Sequence, residues 1–158
     1  MTAFKTVNCK IFKTVKDIEI NPQFKAALEL LEKGTEHVFI TGRAGTGKST
    51  LLSFFQENTR RLLVVLAPTG VAALNVGGET IHSFFRFPPG ITVAEAEKRA
   101  AKTKDASLYK SIKTIVIDEI SMVRADLLDC VDAFLRKALK KKKSFGGIQM
   151  VFIGDLYQ

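Results

Sequence analysis

Residues 42–49 read Gly-Arg-Ala-Gly-Thr-Gly-Lys-Ser and fit the pattern Gly-x4-Gly-Lys-Ser/Thr. Glycines let consecutive backbone amides curl around phosphate groups, and a helix that follows adds the positive end of its dipole. Lys48 is expected to reach the β- and γ-phosphates of ATP, and the Ser49 hydroxyl to ligate Mg²⁺. The residues predicted to bind the nucleotide here are Gly42, Ala44, Gly45, Thr46, Gly47, Lys48, Ser49 and Thr50.

An acidic pair, Asp118 and Glu119, follows the apolar run 114–117. Ligands of open α/β sheets gather where the strands end, so this pair is expected beside the phosphates. Asp118 is predicted to hold the Mg²⁺ shell, and Glu119 to position or deprotonate an attacking water, which favours hydrolysis over phosphoryl transfer. The alternative is an acidic pair that only caps the following helix.

Two further segments suit contact with nucleic acid. Residues 67–75 place small residues and hydroxyls at a helix start, as phosphate contacts require. Within residues 80–85, His82, Phe84 and Phe85 offer surfaces on which unpaired bases can stack. Composition alone favours the alternative, in which both phenylalanines belong to the core and His82 is an ordinary loop residue.

The last residues, 154–158, read Gly-Asp-Leu-Tyr-Gln and follow another apolar run. The amide of Gln158 can donate to a phosphate oxygen or orient water, which would let it sense the γ-phosphate. The same residues also fit a simple turn at the exit of a strand.

A parallel sheet is the element predicted to bring these segments together. Four apolar runs, residues 37–41, 62–67, 114–117 and 149–153, lack apolar-polar alternation, which is typical of strands buried on both faces. Helical periodicity marks helices near residues 24–31 and 127–139, and residues 92–95 form a predicted capping box. Strands alternating with helices indicate an α/β, doubly wound fold. The polar residues 95–110 are predicted to be an exposed excursion.

Bulk properties fit one soluble globular domain of 158 residues with a net charge of +8, which attracts polyanions such as nucleic acid. The lysine run 140–143 fits either a phosphate contact or the end of a helix. No apolar run approaches the ~20 residues of a membrane span. Two cysteines, Cys9 and Cys130, are too few for a disulfide framework, so a reducing cytoplasm or nucleus is expected, with Cys130 buried.

The segments in this order resemble the PIF-family, RecD-like DNA helicases of superfamily one. The matching stretches are residues 42–49, 67–75, 77–85, 117–126 and 145–155, and the similarity covers residues 21–158. The resemblance implies a RecA-like phosphate-loop ATPase domain over residues 21–158, preceded by an N-terminal segment, 1–20. It also implies translocation along single-stranded DNA, usually 5′ to 3′, with duplex unwinding in replication, repair, recombination or telomere maintenance.

Roles for further residues follow from the resemblance alone. Gln23 matches a glutamine that reads adenine, and Gln158 one that links the γ-phosphate to domain movement. The resemblance also reverses the preference for His82, which becomes a DNA contact. The residues implied to contact the DNA strand are Pro68, Thr69, Gly70, Asn75, Thr80, His82 and Phe84.

The resemblance also sets expectations for what lies beyond residue 158. Such motors hold ATP between two RecA-like domains, and the second, with its arginine for the γ-phosphate, is expected to be missing from this chain. An arginine of this kind is worth ~10³–10⁵ in rate, so slow hydrolysis and no unwinding are expected. The chain is expected to be monomeric, and cytoplasmic in a bacterium or nuclear or mitochondrial in a eukaryote. Residues 37–41 are expected at an open sheet edge, and residues 5–13 are a candidate strand to cover an edge.

Two other functions stay open at this point. One is an ATP-dependent DNA-binding module that does not unwind. The other is a different phosphate-loop ATPase, such as a small-molecule kinase. The acidic pair 118–119 and the stretch 80–85 argue against the kinase.

Overall fold

The computed structural model describes residues 22–43, 45–104 and 106–155. These residues form a five-stranded parallel sheet in the order β1-β5-β4-β2-β3. The strands are β1 (Val38–Thr41), β2 (Leu63–Ala67), β3 (Glu79–Thr80), β4 (Thr114–Ile117) and β5 (Gln149–Gly154). The helices are α1 (Pro22–Lys33), α2 (Lys48–Asn58), α3 (Gly70–Asn75), α4 (Ile81–Phe85), α5 (Val93–Lys102), α6 (Ala106–Ser111) and α7 (Ala125–Leu139).

The central strands are buried on both faces, as the unbroken apolar runs predict. Successive residues of β4 alternate between two hydrophobic clusters: Ile115 and Ile117 join the one that contains α7, and Val116 joins the one that contains α2. Because both faces are covered, polar alternation is absent from these strands. The predicted doubly wound α/β class is confirmed.

The predicted strand limits need small corrections. The first strand begins at Val38 instead of His37, and the second at Leu63 instead of Leu62. His37 lies outside the ladder, where its Nδ1 accepts a hydrogen bond of 3.1 Å from the Met150 amide. The last strand continues one residue further than predicted, to Gly154.

A short strand that the sequence pattern did not reveal extends the sheet. Glu79 and Thr80 form β3, which pairs with the end of β2. The residue before β3 is Gly78, and a Cβ there would stand 2.3 Å from the Val65 carbonyl oxygen. Only glycine lets the chain pass this close to β2, and the passage brings Thr80 to the end of the sheet where all the strands finish.

The prediction that residues 95–110 form an exposed excursion is wrong for one face of this segment. The predicted capping box is confirmed: Thr92 and Glu95 exchange hydrogen bonds at the start of α5. Ala96 and Ala100 are buried, and α5 packs along α7. Small residues four apart form one face on which two helices can approach closely. The average polarity of the segment does not reveal this face.

Buried polar groups tie α1 to the amino edge of the sheet, the edge where the strands begin. The Thr114 hydroxyl donates to Gln149 Oε1 at 2.9 Å, and Gln149 Nε2 donates to the Leu30 carbonyl at 3.2 Å. Arg61 Nε donates to the same threonine oxygen at 3.2 Å. The network satisfies polar groups that would be costly to bury alone.

Strand β1 lies at one edge of the described sheet, as expected for residues 37–41. Phe39 in this strand is 44% exposed. The strand predicted for residues 5–13 lies outside the described residues. Cys130 is 1% exposed, as predicted. Within the described ranges, no helix is long and apolar enough to cross a membrane.

Candidate functional site at the carboxyl edge

The start of α2 leaves backbone amides for a ligand. Its N-cap is Gly47, in the left-handed region at φ 88°, and Gly45 in the same loop has φ 79°. The first intrahelical bond runs from the Leu51 amide to the Gly47 carbonyl. The amides of residues 48–50 therefore have no acceptor within the helix, and glycine has no side chain to supply one. Three donors at a positive helix end form an anion site.

The loop is held closed by its own hydrogen bonds. Lys48 Nζ donates to the carbonyls of Gly42 and Arg43, the second at 3.0 Å. Thr46 Oγ1 also donates to the Arg43 carbonyl, at 2.8 Å. A Cβ on Gly42 would lie 2.7 Å from that hydroxyl, so a larger residue there would require the Thr46 side chain to move. Ala44 lies outside the described residues.

The acidic pair stands at the end of β4. Asp118 is half-buried, and this burial raises the pKa of its carboxyl, while the Glu119 amide and the Lys48 charge act in the opposite direction. Glu119 has a left-handed backbone at φ 52°, which costs about 1–2 kcal/mol for a residue other than glycine. Its side chain does not cap the 3₁₀ turn Ile120–Met122 that follows. The capping alternative therefore does not describe Glu119.

The phosphate loop and the acidic pair line one cavity of about 360 Å³. Its walls are Gly45, Gly47, Lys48, Ser49, Thr50, Asp118, Glu119, Gly154 and Asp155. Gly154 and Asp155 are not among the predicted nucleotide contacts, although both follow a predicted strand, and the structure pairs that strand with β1. A Cβ on Gly154 would lie 2.8 Å from the Ile120 side chain, so β5 ends in close contact with the turn after the acidic pair. We call the ends of β1, β4 and β5 the phosphate-loop half of the carboxyl edge.

The predicted adenine contact stands apart from this cavity. Gln23 is an exposed residue in the first turn of α1 and is not among the described residues that line the cavity. Helix α1 nevertheless begins near α2, because the rings of Phe24 and Phe54 lie 5.7 Å apart. Gln158 lies outside the described residues, so its contact with the γ-phosphate stays a prediction.

The ends of β2 and β3 carry the predicted DNA contacts, and we call them the threonine-capped half. Thr69 caps α3 by accepting a hydrogen bond from the Ala72 amide at 3.2 Å. Thr80 caps α4 by accepting one from the Ser83 amide at 3.1 Å. A threonine hydroxyl can accept and donate at once, so each cap keeps its proton for a further acceptor. The other predicted contacts on this segment are Pro68, half-buried, and Gly70 and Asn75, both exposed.

The aromatic residues of α4 divide between core and surface. Phe85 is 2% exposed and belongs to the core, as the composition-based alternative predicts. Phe84 is half-buried, with its ring 4.9 Å from that of Phe85 and 5.8 Å from that of Tyr109. His82 is half-buried on the same helix. DNA contact by His82 and Phe84 stays a prediction.

A sequence model of the family described as PIF1-like helicase matches residues 19–158. The chain belongs to the PIF1-like helicases. It is 39% identical over 149 residues to the ATP-dependent DNA helicase Pif1 of Bdellovibrio bacteriovorus, a match that covers 91% of this chain and 33% of that protein. It is 37% identical over 142 residues to the human ATP-dependent DNA helicase PIF1, covering 89% of this chain and 22% of that protein.

Solved structures of PIF1-like helicases share the fold. Pif1 from Bacteroides sp in complex with ADP-AlF4 superposes with a TM-score of 0.79 at 36% identity, over 90% of this chain and 33% of that one. Bacteroides Pif1 bound to single-stranded DNA gives 0.78 at 37% identity, over 90% of this chain and 33% of that one. The chain thus spans about a third or less of the length of these PIF1-like relatives.

Proposed function

We propose that this chain forms an ATPase motor domain of a DNA helicase. Its phosphate-loop half binds ATP with Mg²⁺, and its threonine-capped half binds single-stranded DNA. One observation carries the proposal: the phosphate loop, the acidic pair and the two capped helices all lie at the same edge of one sheet. In open α/β sheets that edge is where ligands bind.

The residues present fit ATP and Mg²⁺. The amides of residues 48–50 and the Lys48 ammonium offer donors to the phosphate oxygens. The described residues contain no group of three or more His, Cys, Asp or Glu that could hold a metal by themselves. Mg²⁺ usually binds through one or two protein groups and completes its shell with phosphate oxygens and water, and Ser49 and Asp118 supply such groups. The ion would neutralise charge that develops on the phosphates.

In the proposed hydrolysis, Glu119 is the proton acceptor. A water oxygen forms a bond to the γ-phosphorus, the bond to the β–γ bridging oxygen breaks, and the water proton passes to the Glu119 carboxylate. Such proton transfer contributes ~10²–10⁴-fold to a rate. Lys48 stays in contact with the charge that moves onto the leaving oxygen.

A short path joins the two halves. The Asp118 amide donates to the Leu66 carbonyl at 2.9 Å, which fixes the acidic pair against the end of β2. The chain continues from β2 directly through Pro68 to the Thr69 cap of α3. A displacement of the acidic pair would therefore also displace Thr69, a predicted DNA contact. This connection supports coupling of hydrolysis to movement along DNA.

The PIF1-like relatives support the same assignment, because one Bacteroides structure holds Pif1 in complex with both ADP-AlF3 and single-stranded DNA. Translocation from 5′ to 3′ and duplex unwinding are proposed for the whole protein that contains this domain. The cavity has no arginine among its described lining residues. The 158-residue chain alone is therefore expected to hydrolyse ATP slowly, lacking an effect worth ~10³–10⁵ in rate.

Glu119→Gln tests the proposed hydrolysis. The substitution should lower the single-turnover hydrolysis rate about 100-fold or more while ATP affinity stays within about twofold, because an amide accepts a proton poorly. Glu97→Gln, which changes an exposed carboxylate on α5, is the matched control. An unchanged rate in Glu119→Gln would show that this residue is not the proton acceptor.

His82→Ala tests the proposed strand binding. It should weaken the affinity for a dT oligonucleotide and leave ATP affinity unchanged, since stacking on one base is worth about 1–3 kcal/mol. Loss of both affinities together would indicate a structural role for His82. A DNA-binding module without unwinding is the alternative, and it would bind the strand with no DNA stimulation of ATP hydrolysis even in the longer protein.

A further inference from the structure

The amino edge of the sheet carries a group of cations around a concave surface. In a parallel sheet every strand begins at this edge and the helices between strands end there, so their flanking residues meet. A cavity of about 420 Å³ opens at the starts of β4 and β5. A second, of about 210 Å³, shares Gly34, Gly147 and Ile148 with it. The cations lining the two cavities, here called the amino-edge cluster, are Arg61, Lys110, Lys113, Lys141 and Lys143.

The charges of the amino-edge cluster are not neutralised within the described part of the chain. Arg61 donates to the Thr114 hydroxyl and to the carbonyls of Glu32 and Lys113, and none of these acceptors is charged. The four lysines are exposed, and none forms an ion pair with a described carboxylate. Glu36 is the acidic side chain among the described residues that line the cavities. The surface therefore holds several positive charges close together, and a bound anion would reduce the repulsion between them.

The floor between the cavities is made of backbone. Gly146 and Gly147 both have left-handed φ values, 64° and 81°. A Cβ on Gly147 would lie 3.8 Å from Lys143 Cδ and 4.0 Å from Lys141 Nζ, so two lysine side chains run beside this floor. Lysine stems of this kind move freely and place their ammonium groups wherever phosphates pass.

We propose that the amino-edge cluster binds the sugar-phosphate backbone of double-stranded nucleic acid without sequence preference. A duplex carries one negative charge per about 1.7 Å of its axis, so several exposed lysines around one concave surface can each contact a phosphate. Two rings line these cavities, and neither is free to stack on a base. Tyr109 is 4% exposed, and the ring of the exposed His37 packs edge-on against Phe145 while its Nδ1 accepts from the Met150 amide. The threonine-capped half offers His82 and Phe84 instead, which suit an unpaired strand.

The two nucleic-acid surfaces lie at opposite edges of the sheet. Strand β5 has six residues and so separates them by about 20 Å. One domain can thus hold a single strand at its carboxyl edge and a duplex segment at its amino edge at the same time. Binding at the amino-edge cluster requires neither ATP nor a free strand end.

The test measures the affinity of the chain for a blunt, fluorescein-labelled 20-base-pair duplex by anisotropy from 50 to 200 mM NaCl. The variant combines Lys110→Gln, Lys113→Gln and Lys141→Gln, and leaves Arg61 with its structural hydrogen bonds in place. The control combines Lys98→Gln, Lys102→Gln and Lys137→Gln, exposed lysines of α5 and α7, and removes the same charge. Since each phosphate contact contributes about 0.9 to the slope of log affinity against log salt, the variant should lower that slope by about two to three.

The control should keep the wild-type slope, and both triple variants should keep the wild-type unfolding temperature. Equal slopes for variant and control would overturn the proposal, since affinity would then follow net charge alone. An acidic peptide of matched charge that competes as well as unlabelled duplex would also overturn it and indicate a protein partner. If the wild-type chain binds a dT oligonucleotide but no duplex, this proposal fails and the proposed motor function stands. If it binds duplex but neither ATP nor dT, the reverse holds.

Discussion

The two halves of the carboxyl edge begin their helices in opposite ways. In the phosphate-loop half, α2 starts at Gly47, which has no side chain, so three backbone amides remain without an acceptor in the helix. In the threonine-capped half, α3 and α4 start at Thr69 and Thr80, whose hydroxyls already accept from the helix backbone. In the first half none of the initial helix amides has a side-chain acceptor, whereas in the second half one amide of each helix has one.

This difference separates two ways of holding a phosphate. An uncapped helix gains its full N-terminal stabilisation only when an anion arrives, which couples the stability of the phosphate-loop half to its ligand. A capped helix has one of its first amides satisfied without a ligand, and its threonine keeps one hydroxyl proton that can donate to a further acceptor. The first arrangement suits a ligand held tightly for a reaction. The second suits a strand that is bound and released repeatedly, as the proposed motor function would require.

Lys48→Ala should separate the two halves most strongly. It removes a charged donor from the phosphates, and because hydrogen bonds to charged groups contribute about 1.5–3 kcal/mol each, ATP affinity should fall about 100-fold. Calorimetric titration with ATP and Mg²⁺ measures this fall, with Lys98→Ala as control. Affinity for a dT oligonucleotide should not change. A parallel loss of strand affinity would break the division into two halves.

Gly47→Ala and Gly70→Ala compare a glycine from each half. Gly47 has φ 88°, so alanine there should cost about 1–2 kcal/mol of unfolding free energy and also disturb ATP binding. Gly70 begins α3 with no left-handed φ and with open space where a Cβ would stand. Alanine at 70 should leave stability unchanged or raise it by up to about 1 kcal/mol. Urea unfolding measures both, and equal losses would contradict the contrast.

Thr80→Val and Thr80→Ser test the cap of α4. Valine keeps the shape but removes the hydroxyl that accepts from the Ser83 amide, and loss of such a cap costs about 1 kcal/mol. The unfolding temperature should fall by about 2–4 °C, and dT affinity should fall with it. Serine retains the hydroxyl and should restore both. A stable Thr80→Val protein with weakened strand binding would assign the hydroxyl to DNA alone.

Asp118→Asn should have a small effect on stability, with a sign set by burial. Burial raises the pKa of this carboxyl above its ordinary 3.8, so the folded chain holds the proton more tightly than the unfolded chain. The contribution to folding is present in full below pH 3.8 and is lost as the pH rises through the folded pKa, so the charge opposes folding at pH 7. Asparagine should raise the unfolding temperature at pH 7, by less near pH 3.5, and should weaken Mg²⁺-dependent ATP binding.

Thermal scans between pH 3.5 and 7 check this sign, with Asp129→Asn, an exposed change on α7, as control. An unfolding temperature that falls at pH 7 in Asp118→Asn would show that the Glu119 amide and Lys48 outweigh the burial.

The phosphate loop was predictable because its function requires particular residue types at fixed spacing. The central strands were predictable because burial on both faces leaves continuous apolar runs. Strand β3 was not, since two residues are too few to show a period. The packing of α5 on α7 also escaped prediction, because Ala96 and Ala100 lie among charged residues that face solvent.

The left-handed backbone of Glu119 was also not predictable from the sequence. Glutamate has no preference for the left-handed region, so nothing in the pair 118–119 predicts that Glu119 adopts it. The roles of Thr69 and Thr80 had a detectable signal, a hydroxyl residue before a helix, but the sequence cannot separate a cap from a phosphate contact. The structure shows that both threonines are caps. The Thr80 variants test whether the hydroxyl proton also donates to a phosphate.

The passage of Gly78 beneath the Val65 carbonyl limits how this protein can diverge over evolutionary time. Any side chain at residue 78 would force the backbone away from β2, and the segment leading to Thr80 would move with it. Nearby side chains can repack around a substitution. A side chain that replaces the α-hydrogen of Gly78 would instead meet the Val65 backbone carbonyl, which cannot move aside without disturbing β2. We expect distant homologues that keep the same arrangement of β2 and β3 to retain glycine here even where the surrounding residues have changed beyond recognition.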